Sequence, residues 1–304
     1  MSVAIPGLVV PPLTPFDANQ RVDAEALRRQ VDYVVQDCDA SMVVAAGVEA
    51  QEYTYLTLEE RRALIRQTVD FVDGRTPVAV GISHPSFKIA VELATLAADL
   101  GAHAVQLLAP LRPFGGPPTQ RELLAYVQAI ARETPLPIML YLNAGPGADV
   151  SVEGTIELAQ LDSVKYLKES SRDLSRVGRL IHEIDRAGHA RYFTTLQMLL
   201  ATLELGGSGI TTPPPAAALA RRVIAAHLAG DAAEARRLQG QFALYPARWM
   251  KHGLMPTMKA SLKLLGVPAG DPYPPFPPIA GEELQALADY LETTDLTAKE
   301  AKHA

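Results

Sequence analysis

Eight short apolar runs recur along the sequence at near-regular intervals, and longer segments with helical periodicity separate them. Runs of this length are typical of buried strands, and the segments between them carry the start signals of helices. The predicted strands are Leu8–Pro11, Met42–Ala46, Pro77–Gly81, Ala104–Leu108, Pro137–Leu142, Val164–Lys168, Arg191–Thr194 and Gly209–Thr212. Strands that alternate with helices favour a parallel sheet, because parallel neighbours need a crossover that a helix provides.

Capping residues mark where the helices between these strands begin. Thr57 and Thr119 each precede a glutamate by three residues, which is the capping-box pattern. Further helices are predicted to begin at Ser86 and to follow Ser151, Asp173 and Thr195.

Eight strands that are each followed by a helix match the α/β architecture of a (β/α)8 TIM barrel, which typically takes about 250 residues. An open doubly wound sheet is the competing arrangement. No Gly-x-Gly-x-x-Gly follows the first predicted strand, and Gly206-Gly-Ser-Gly209 precedes a strand instead of opening a helix. The barrel is therefore the predicted fold.

The pattern changes after Thr212, where three prolines interrupt it and only helical segments follow. We predict a barrel over residues 1–212 and a helical region over residues 213–304 that packs against it. The predicted helices of this region are Ala216–His227, Asp231–Leu244, Thr257–Leu265 and Glu282–Glu292.

Composition excludes several classes of protein. The chain has 28 basic and 34 acidic residues, a net charge of -6 and no long basic run, so nucleic acid is not an expected partner. No stretch approaches the roughly 18 apolar residues of a membrane span. The single cysteine, Cys38, forms no internal disulfide, which fits a cytoplasmic location. The seven histidines lack ligand spacing, so neither a metal nor a cofactor is expected.

Lys168 closes the predicted sixth strand directly behind the apolar residues Val164, Tyr166 and Leu167. Alternation places Val164, Tyr166 and Lys168 on one face of the strand, at the rim where barrel enzymes carry their chemistry. An apolar shell would lower the pKa of the amine, which would then attack a ketone to form a Schiff base. The alternative is a rim lysine paired with Glu169 or Asp173.

Tyr141 ends the predicted fifth strand, which neighbours the sixth in a sequentially wound barrel. Its phenol is therefore expected close to the Lys168 amine, where it would transfer protons as a general acid and base. A core aromatic with a satisfied hydroxyl is the alternative interpretation of Tyr141 alone.

Several motifs together resemble one known family. They are Val10-Pro-Pro-Leu-Thr-Pro-Phe16, the spacing of Tyr141 and Lys168, Lys168-Glu-Ser-Ser171, Gly206-Gly-Ser-Gly-Ile210 and Pro256-Thr-Met-Lys-Ala-Ser-Leu262. Their order is similar to that in the dihydrodipicolinate synthase and N-acetylneuraminate lyase superfamily. The resemblance implies a (β/α)8 barrel with a C-terminal helical part, usually a homotetramer. It also implies a Schiff-base lysine at Lys168, a tyrosine relay at Tyr141 and a 2-oxo acid substrate, commonly pyruvate.

The chain departs from the family where the carboxylate of the 2-oxo acid would bind. Glu49 and Ala50 stand where the family has two threonines, and Glu52 matches the family glutamate, for which a structural role in the loop is the favoured interpretation. Arg112 and Arg172, in predicted rim loops, are candidates for a replacement anion site, with solvated loop arginines as the alternative. Thr211, at the end of the eighth strand, is expected to line the pocket.

Two further departures disfavour the authentic synthase of the lysine pathway. Ala109-Pro-Leu-Arg-Pro-Phe114 replaces the tyrosine-rich turn of the family synthases, and residues 142–149 lack the arginine that binds their second substrate.

Three functions follow from these observations. The leading hypothesis is a Schiff-base lyase that acts on a 2-oxo acid. The candidate activities are a 2-oxo-acid aldolase and an aldolase or dehydratase of 2-oxo-3-deoxy sugar acids. The second is a barrel paralogue without turnover that binds a small carboxylate. The third, a phosphate-binding barrel isomerase, depends only on the glycines of residues 206–209.

Overall fold

The computed structural model describes residues 3–112, 116–144 and 147–296. Eight parallel strands close into a barrel in which each strand pairs with the next along the chain and the eighth pairs with the first. This is the predicted (β/α)8 fold, and every predicted strand is present to within one residue at each end. The strands are β1 Gly7–Val10, β2 Met42–Ala45, β3 Val78–Gly81, β4 Ala104–Leu108, β5 Ile138–Leu142, β6 Val164–Glu169, β7 Arg191–Thr194 and β8 Gly209–Thr211.

Helices follow the strands and surround the barrel. They are α1 Ala24–Asp32, α2 Leu58–Val72, α3 Phe87–Asp99, α4 Gln120–Glu133, α5 Val152–Ala159, α6 Leu174–Leu180, α7 Leu199–Glu204, α8 Pro214–Leu228, α9 Ala232–Gly240, α10 Leu254–Leu264 and α11 Gly281–Glu292. Both predicted capping boxes are formed, at Thr57 with Glu60 and at Thr119 with Glu122. The sequence analysis missed α1, whose first turn is capped by the Asp23 side chain.

The C-terminal part begins with a helix that belongs to the outer ring. Helix α8 contacts β1 and α7, so it takes the eighth position around the barrel, and α9 and α10 pack against it. The division into residues 1–212 and 213–304 therefore stays a prediction, and the packing favours an end of the barrel after α8. No described helix is long and apolar enough to cross a membrane.

The glycines before β8 serve the closure of the barrel. Gly209 has φ 140, and a Cβ there would lie 2.1 Å from the carbonyl oxygen of Gly7 on β1, so only glycine allows this approach. The preceding amides donate to backbone carbonyls, Gly207 to Thr202 at 2.8 Å and Ser208 to Tyr192 at 3.0 Å. This segment lies at the N-terminal end of β8, away from the rim that bears Lys168, and does not support the phosphate site.

Candidate active site

A bulge in β6 decides which of its side chains face the barrel interior. Ile138 of β5 pairs with Val164, but Met139 pairs with Tyr166, so Lys165 is an extra residue and is exposed. Val164 therefore packs in the outer core, and the prediction that it shares a face with Lys168 is wrong. Beyond the bulge strict alternation returns, and Lys168 points into the barrel above Tyr166.

The Lys168 amine is buried at the C-terminal rim, where only 2% of the residue is exposed. It donates to the carbonyl of Thr194 at 3.0 Å, to the carbonyl of Glu169 at 3.3 Å and to Ser170 Oγ at 3.4 Å. Burial lowers the pKa of Lys168 from 10.5 to about 8, although Glu49 and Glu169 oppose the shift. A substantial fraction of this amine is therefore neutral near pH 8.

The carboxylates that were considered as partners of Lys168 are engaged elsewhere. Glu169 points away from the barrel interior. Its carboxylate accepts hydrogen bonds from Arg176 Nε at 3.0 Å and from the Tyr192 hydroxyl at 3.0 Å. Asp173 caps the first turn of α6 through the amide of Ser175 at 2.9 Å. The alternative in which Lys168 is a rim lysine paired with Glu169 or Asp173 is therefore not observed.

Tyr141 pairs directly with Lys168 in the register of β5 and β6. The Lys168 Nζ lies 5.7 Å from the centre of the tyrosine ring. The phenolic oxygen accepts from Asn143 Nδ2 at 3.1 Å and from Ser170 Oγ at 3.5 Å. Ser170 thus links the amine to the phenol through two hydrogen bonds, although the sequence analysis assigned it no role. Burial, followed by the charge of Glu49, raises the pKa of Tyr141 above its usual range.

A cavity of about 430 Å³ opens above the Lys168 amine. Six of the eight residues singled out from the sequence border it, namely Lys168, Tyr141, Glu49, Ala50, Arg172 and Thr211. Arg172 donates from Nε to Gln197 Oε1 at 3.1 Å, and the Thr211 hydroxyl is buried without a hydrogen-bond partner. No group of three or more His, Cys, Asp or Glu side chains suited to a metal ion occurs in the described ranges.

Glu49 reaches this cavity because β4 holds it there. Gln106 is fully buried on β4; its Oε1 accepts from the Val48 amide at 2.9 Å, and its Nε2 donates to Glu49 Oε1 at 2.8 Å. The other carboxyl oxygen, Oε2, is buried and has no hydrogen-bond partner. Burial raises the pKa of Glu49, and the Lys168 charge opposes the shift. The lone polar residue within the apolar strand β4 was the sequence signal for Gln106.

Glu52 and Arg112 lie outside the cavity, so the structure does not bring these two candidate site residues to Lys168. Glu52 pairs with Lys259 at 2.9 Å and accepts from the Thr14 amide at 2.8 Å, with both charged side chains 1% exposed. Arg112 pairs with Glu122 at 2.6 Å and borders a separate cavity between the β2, β3 and β4 loops. Glu52 has the structural role that the sequence analysis favoured.

These features define a (β/α)8 barrel protein with a pocket centred on a buried lysine at the C-terminal end of its sixth strand. The chain belongs to the dihydrodipicolinate synthetase family, whose model matches residues 4–294.

Two synthases are similar to this chain over most of its length. It is 29% identical over 296 residues to 4-hydroxy-tetrahydrodipicolinate synthase 1 of Halalkalibacterium halodurans, covering 92% of this chain and 94% of that protein. It is 32% identical over 268 residues to the 4-hydroxy-tetrahydrodipicolinate synthase of Cellvibrio japonicus, covering 86% and 90%.

Solved structures share the fold at lower identity. YagE of E. coli K12, a prophage protein of the dihydrodipicolinic acid synthase family crystallised in complex with pyruvate, superposes with a TM-score of 0.88 at 23% identity over 97% of this chain and 100% of that one. N-acetylneuraminate lyase from Mycoplasma synoviae superposes with a TM-score of 0.81 at 21% identity over 95% and 97%.

Proposed function

We propose that the protein is a Schiff-base lyase that acts on a 2-oxo acid. The observation that carries this proposal is the buried Lys168 amine, which faces a cavity beside Tyr141 and has a pKa lowered to about 8. The reaction is aldol cleavage or formation next to the ketone, or dehydration of a 2-oxo-3-deoxy sugar acid. The authentic synthase of the lysine pathway is disfavoured by the sequence departures at residues 49–50, 109–114 and 142–149.

The residues around Lys168 fit the steps of such a reaction. The neutral amine attacks the ketone carbon and water leaves, which gives an iminium that draws electrons from the neighbouring carbon. The hydrogen bonds from Lys168 to Ser170 and from Ser170 to Tyr141 provide a path for the protons that this step moves. The iminium takes the part of a Lewis acid, so this chemistry uses no metal.

The substrate carboxylate needs a site other than the missing threonine pair. Ala50 has no hydroxyl, and an ionised Glu49 within 4 Å of a carboxylate costs about 4 kcal/mol at an effective dielectric constant of 20. Arg172 borders the same cavity, and a guanidinium pairs well with a carboxylate. We therefore assign the carboxylate to the Arg172 side of the cavity.

Reduction with borohydride in the presence of pyruvate is expected to add a pyruvate-derived mass to the peptide that contains Lys168, as measured by mass spectrometry. The rate of adduct formation should rise with pH and level off above about 8, because only the neutral amine attacks and its fraction grows as pH passes the pKa of Lys168.

A Lys165→Ala variant is the matched control, since Lys165 is an exposed lysine of the same strand and should leave trapping unchanged. No adduct with any 2-oxo acid, or an adduct on another lysine, would contradict the proposal. Stabilisation of the protein by pyruvate without trapping or turnover would favour the second hypothesis, a paralogue that binds a small carboxylate.

We also propose that copies of the chain assemble in the cytoplasm into a homo-oligomer, a tetramer or a dimer. Two large apolar side chains are exposed near the cavity between the β2, β3 and β4 loops, Leu111 at 50% and Phe87 at 39%. Leu111 borders this cavity, and Phe87 packs on Tyr126, which also borders it. Contact with another copy of the chain would bury this apolar surface. Light scattering should give two or four times the chain mass of 32.7 kDa. A single-chain mass at micromolar concentration would contradict this assembly.

A further inference from the structure

The Glu49 carboxyl is the one acidic side chain among the described residues that line the Lys168 cavity. Glu49 lines the same cavity as Lys168 and Tyr141, and its charge raises the pKa of both groups. The carboxyl thus borders the space in which a substrate bound to Lys168 would react.

The hydrogen bonds of Glu49 leave one oxygen without a protein partner. The Val48 amide orients the Gln106 side chain so that its NH2 group faces Glu49 Oε1. Nothing in the described chain donates to Oε2, which is buried. A buried acceptor without a partner is destabilising, and a ligand that supplies a hydroxyl donor relieves this.

Charge sets the direction in which a 2-oxo acid would lie in the cavity. Arg172 follows β6 and attracts the carboxylate, whereas an ionised Glu49 repels it. With the ketone carbon bound to Lys168 and the carboxylate towards Arg172, the remaining chain of the substrate extends towards Glu49. The group that meets Glu49 Oε2 is then a hydrogen-bond donor on that chain.

We propose that, when the protein cleaves a hydroxylated 2-oxo acid, Glu49 contacts the hydroxyl group next to the bond that is broken and accepts its proton. The inference builds on the imine chemistry assigned to Lys168. The Glu49 carboxylate takes the proton of the 4-hydroxyl, and the O–H electron pair becomes the second bond of a carbonyl. The bond between carbons 3 and 4 breaks, its electrons form the enamine double bond, and the imine π electrons move to nitrogen. The aldehyde leaves, and the proton held by Glu49 passes to carbon 3 of the enamine, which restores the iminium and the Glu49 carboxylate. Water then adds to the iminium and releases the 2-oxo acid and the Lys168 amine.

Glu49 suits this role better than Tyr141. Burial and then the neighbouring Glu49 charge disfavour the Tyr141 phenolate, although the hydrogen bonds from Ser170 and Asn143 oppose this effect. Burial raises the pKa of Glu49 above its ordinary value of 4.5, which makes its carboxylate a stronger base than an exposed one. The charged and titratable groups that face Glu49 are Lys168, Tyr141 and Tyr53.

A Glu49→Gln variant tests this role because glutamine keeps the hydrogen bond from Gln106 but cannot accept the proton. The full chain would be supplied with a series of 4-hydroxy-2-oxo acids beginning with 4-hydroxy-2-oxopentanoate, whose cleavage gives pyruvate and acetaldehyde. Cleavage, followed by NMR, should fall by about 10² to 10⁴-fold in kcat. Borohydride trapping of pyruvate on Lys168 and the melting temperature should not fall.

The pH profile separates a proton acceptor from a residue that only shapes the cavity. Cleavage by every variant should decline below about pH 8 as the Lys168 amine becomes protonated. The wild-type protein should show a second decline as pH falls through the raised pKa of Glu49, because the protonated acid accepts no proton. This second decline should be absent in Glu49→Gln and return in Glu49→Asp. Glu59→Gln, at an exposed glutamate of α2, should behave as the wild type.

The outcomes distinguish this inference from the imine proposal. Trapping of pyruvate without cleavage of any hydroxylated acid would overturn the role of Glu49 and leave the Lys168 imine standing. Equal kcat in Glu49→Gln and the wild type would do the same. Absence of both trapping and cleavage in the wild type would overturn the Schiff-base function itself.

Discussion

A Lys168→Met variant is expected to lose turnover by about 10⁴-fold or more while keeping its fold, because methionine cannot form the covalent intermediate. Methionine has nearly the volume of lysine and suits the apolar walls around the side chain. The loss should appear in kcat, measured on whichever 2-oxo acid the wild type traps, and addition of more substrate should not restore it.

The same substitution should leave the protein at least as stable as the wild type. A pKa of about 8 against an ordinary 10.5 means that the folded state disfavours the ammonium by about 3 kcal/mol. Because the folded pKa is the lower one, this cost is complete below pH 8 and vanishes above the unfolded pKa. Removal of the amine at pH 7 relieves it, and the lost bonds to Thr194 and Glu169 offset part of the gain.

The melting temperature of Lys168→Met at pH 7, measured by circular dichroism, should therefore equal or exceed that of the wild type. Lys165→Met, at the exposed lysine of the bulge, should change neither turnover nor melting temperature. Turnover of Lys168→Met within tenfold of the wild type would show that Lys168 is not the nucleophile. A drop in melting temperature would mean that the amine is instead a structural donor.

A Lys259→Met variant is expected to lower the free energy of unfolding by about 3–5 kcal/mol. Lys259 Nζ lies 2.9 Å from Glu52, donates to the carbonyl of Thr14 at 2.7 Å, and is as buried as its partner. Removal of the cation leaves a buried carboxylate whose remaining hydrogen-bond donor, within the part of the chain that the structure describes, is the Thr14 amide. The loss is measured by urea titration.

The pH dependence of this loss identifies its cause. Burial raises the pKa of Glu52, and without Lys259 the carboxyl is protonated at a still higher pH in the folded state. The loss should therefore be largest at neutral pH and shrink as pH falls, when the neutral acid is buried at less cost. Lys263→Met, on the same helix but in a surface pair with Asp271, should cost about 1 kcal/mol or less. A loss of this smaller size for Lys259→Met would contradict the structural role of the pair.

Local patterns in the chain were enough to predict the barrel. Buried strands need continuous apolar runs, and Thr57 and Thr119 mark helix starts through bonds to residues three positions away. Helix α1 was missed because it is rich in polar residues and has few apolar ones. Its capping residue, Asp23, was the remaining local signal. The bulge at Lys165 was also missed, because it depends on the register with β5.

The residues of the candidate site divide in the same way. Lys168 and Tyr141 were predicted together because strand ends of sequential strands meet at one rim of a parallel barrel, which is a property of topology alone. Ser170 and Gln106 gained their places only through contacts with partners distant in the chain. Arg112 was predicted at the site from its loop, but its ion pair with Glu122 holds it at another cavity.

The sequence by itself therefore determined the (β/α)8 architecture, the positions of Lys168 and Tyr141 at the strand ends and the departure at Glu49 and Ala50. Only the tertiary structure decided which glutamate faces the amine. Glu49 and Glu52 are the same residue type three positions apart. Glu49 faces the cavity, where Gln106 of β4 donates a hydrogen bond to it, whereas Glu52 is buried outside the cavity in an ion pair with Lys259 of α10. A buried carboxylate needs a hydrogen-bond or charge partner. Gln106 and Lys259 are 57 and 207 residues away from their glutamates in the sequence, and only the closed fold brings them near.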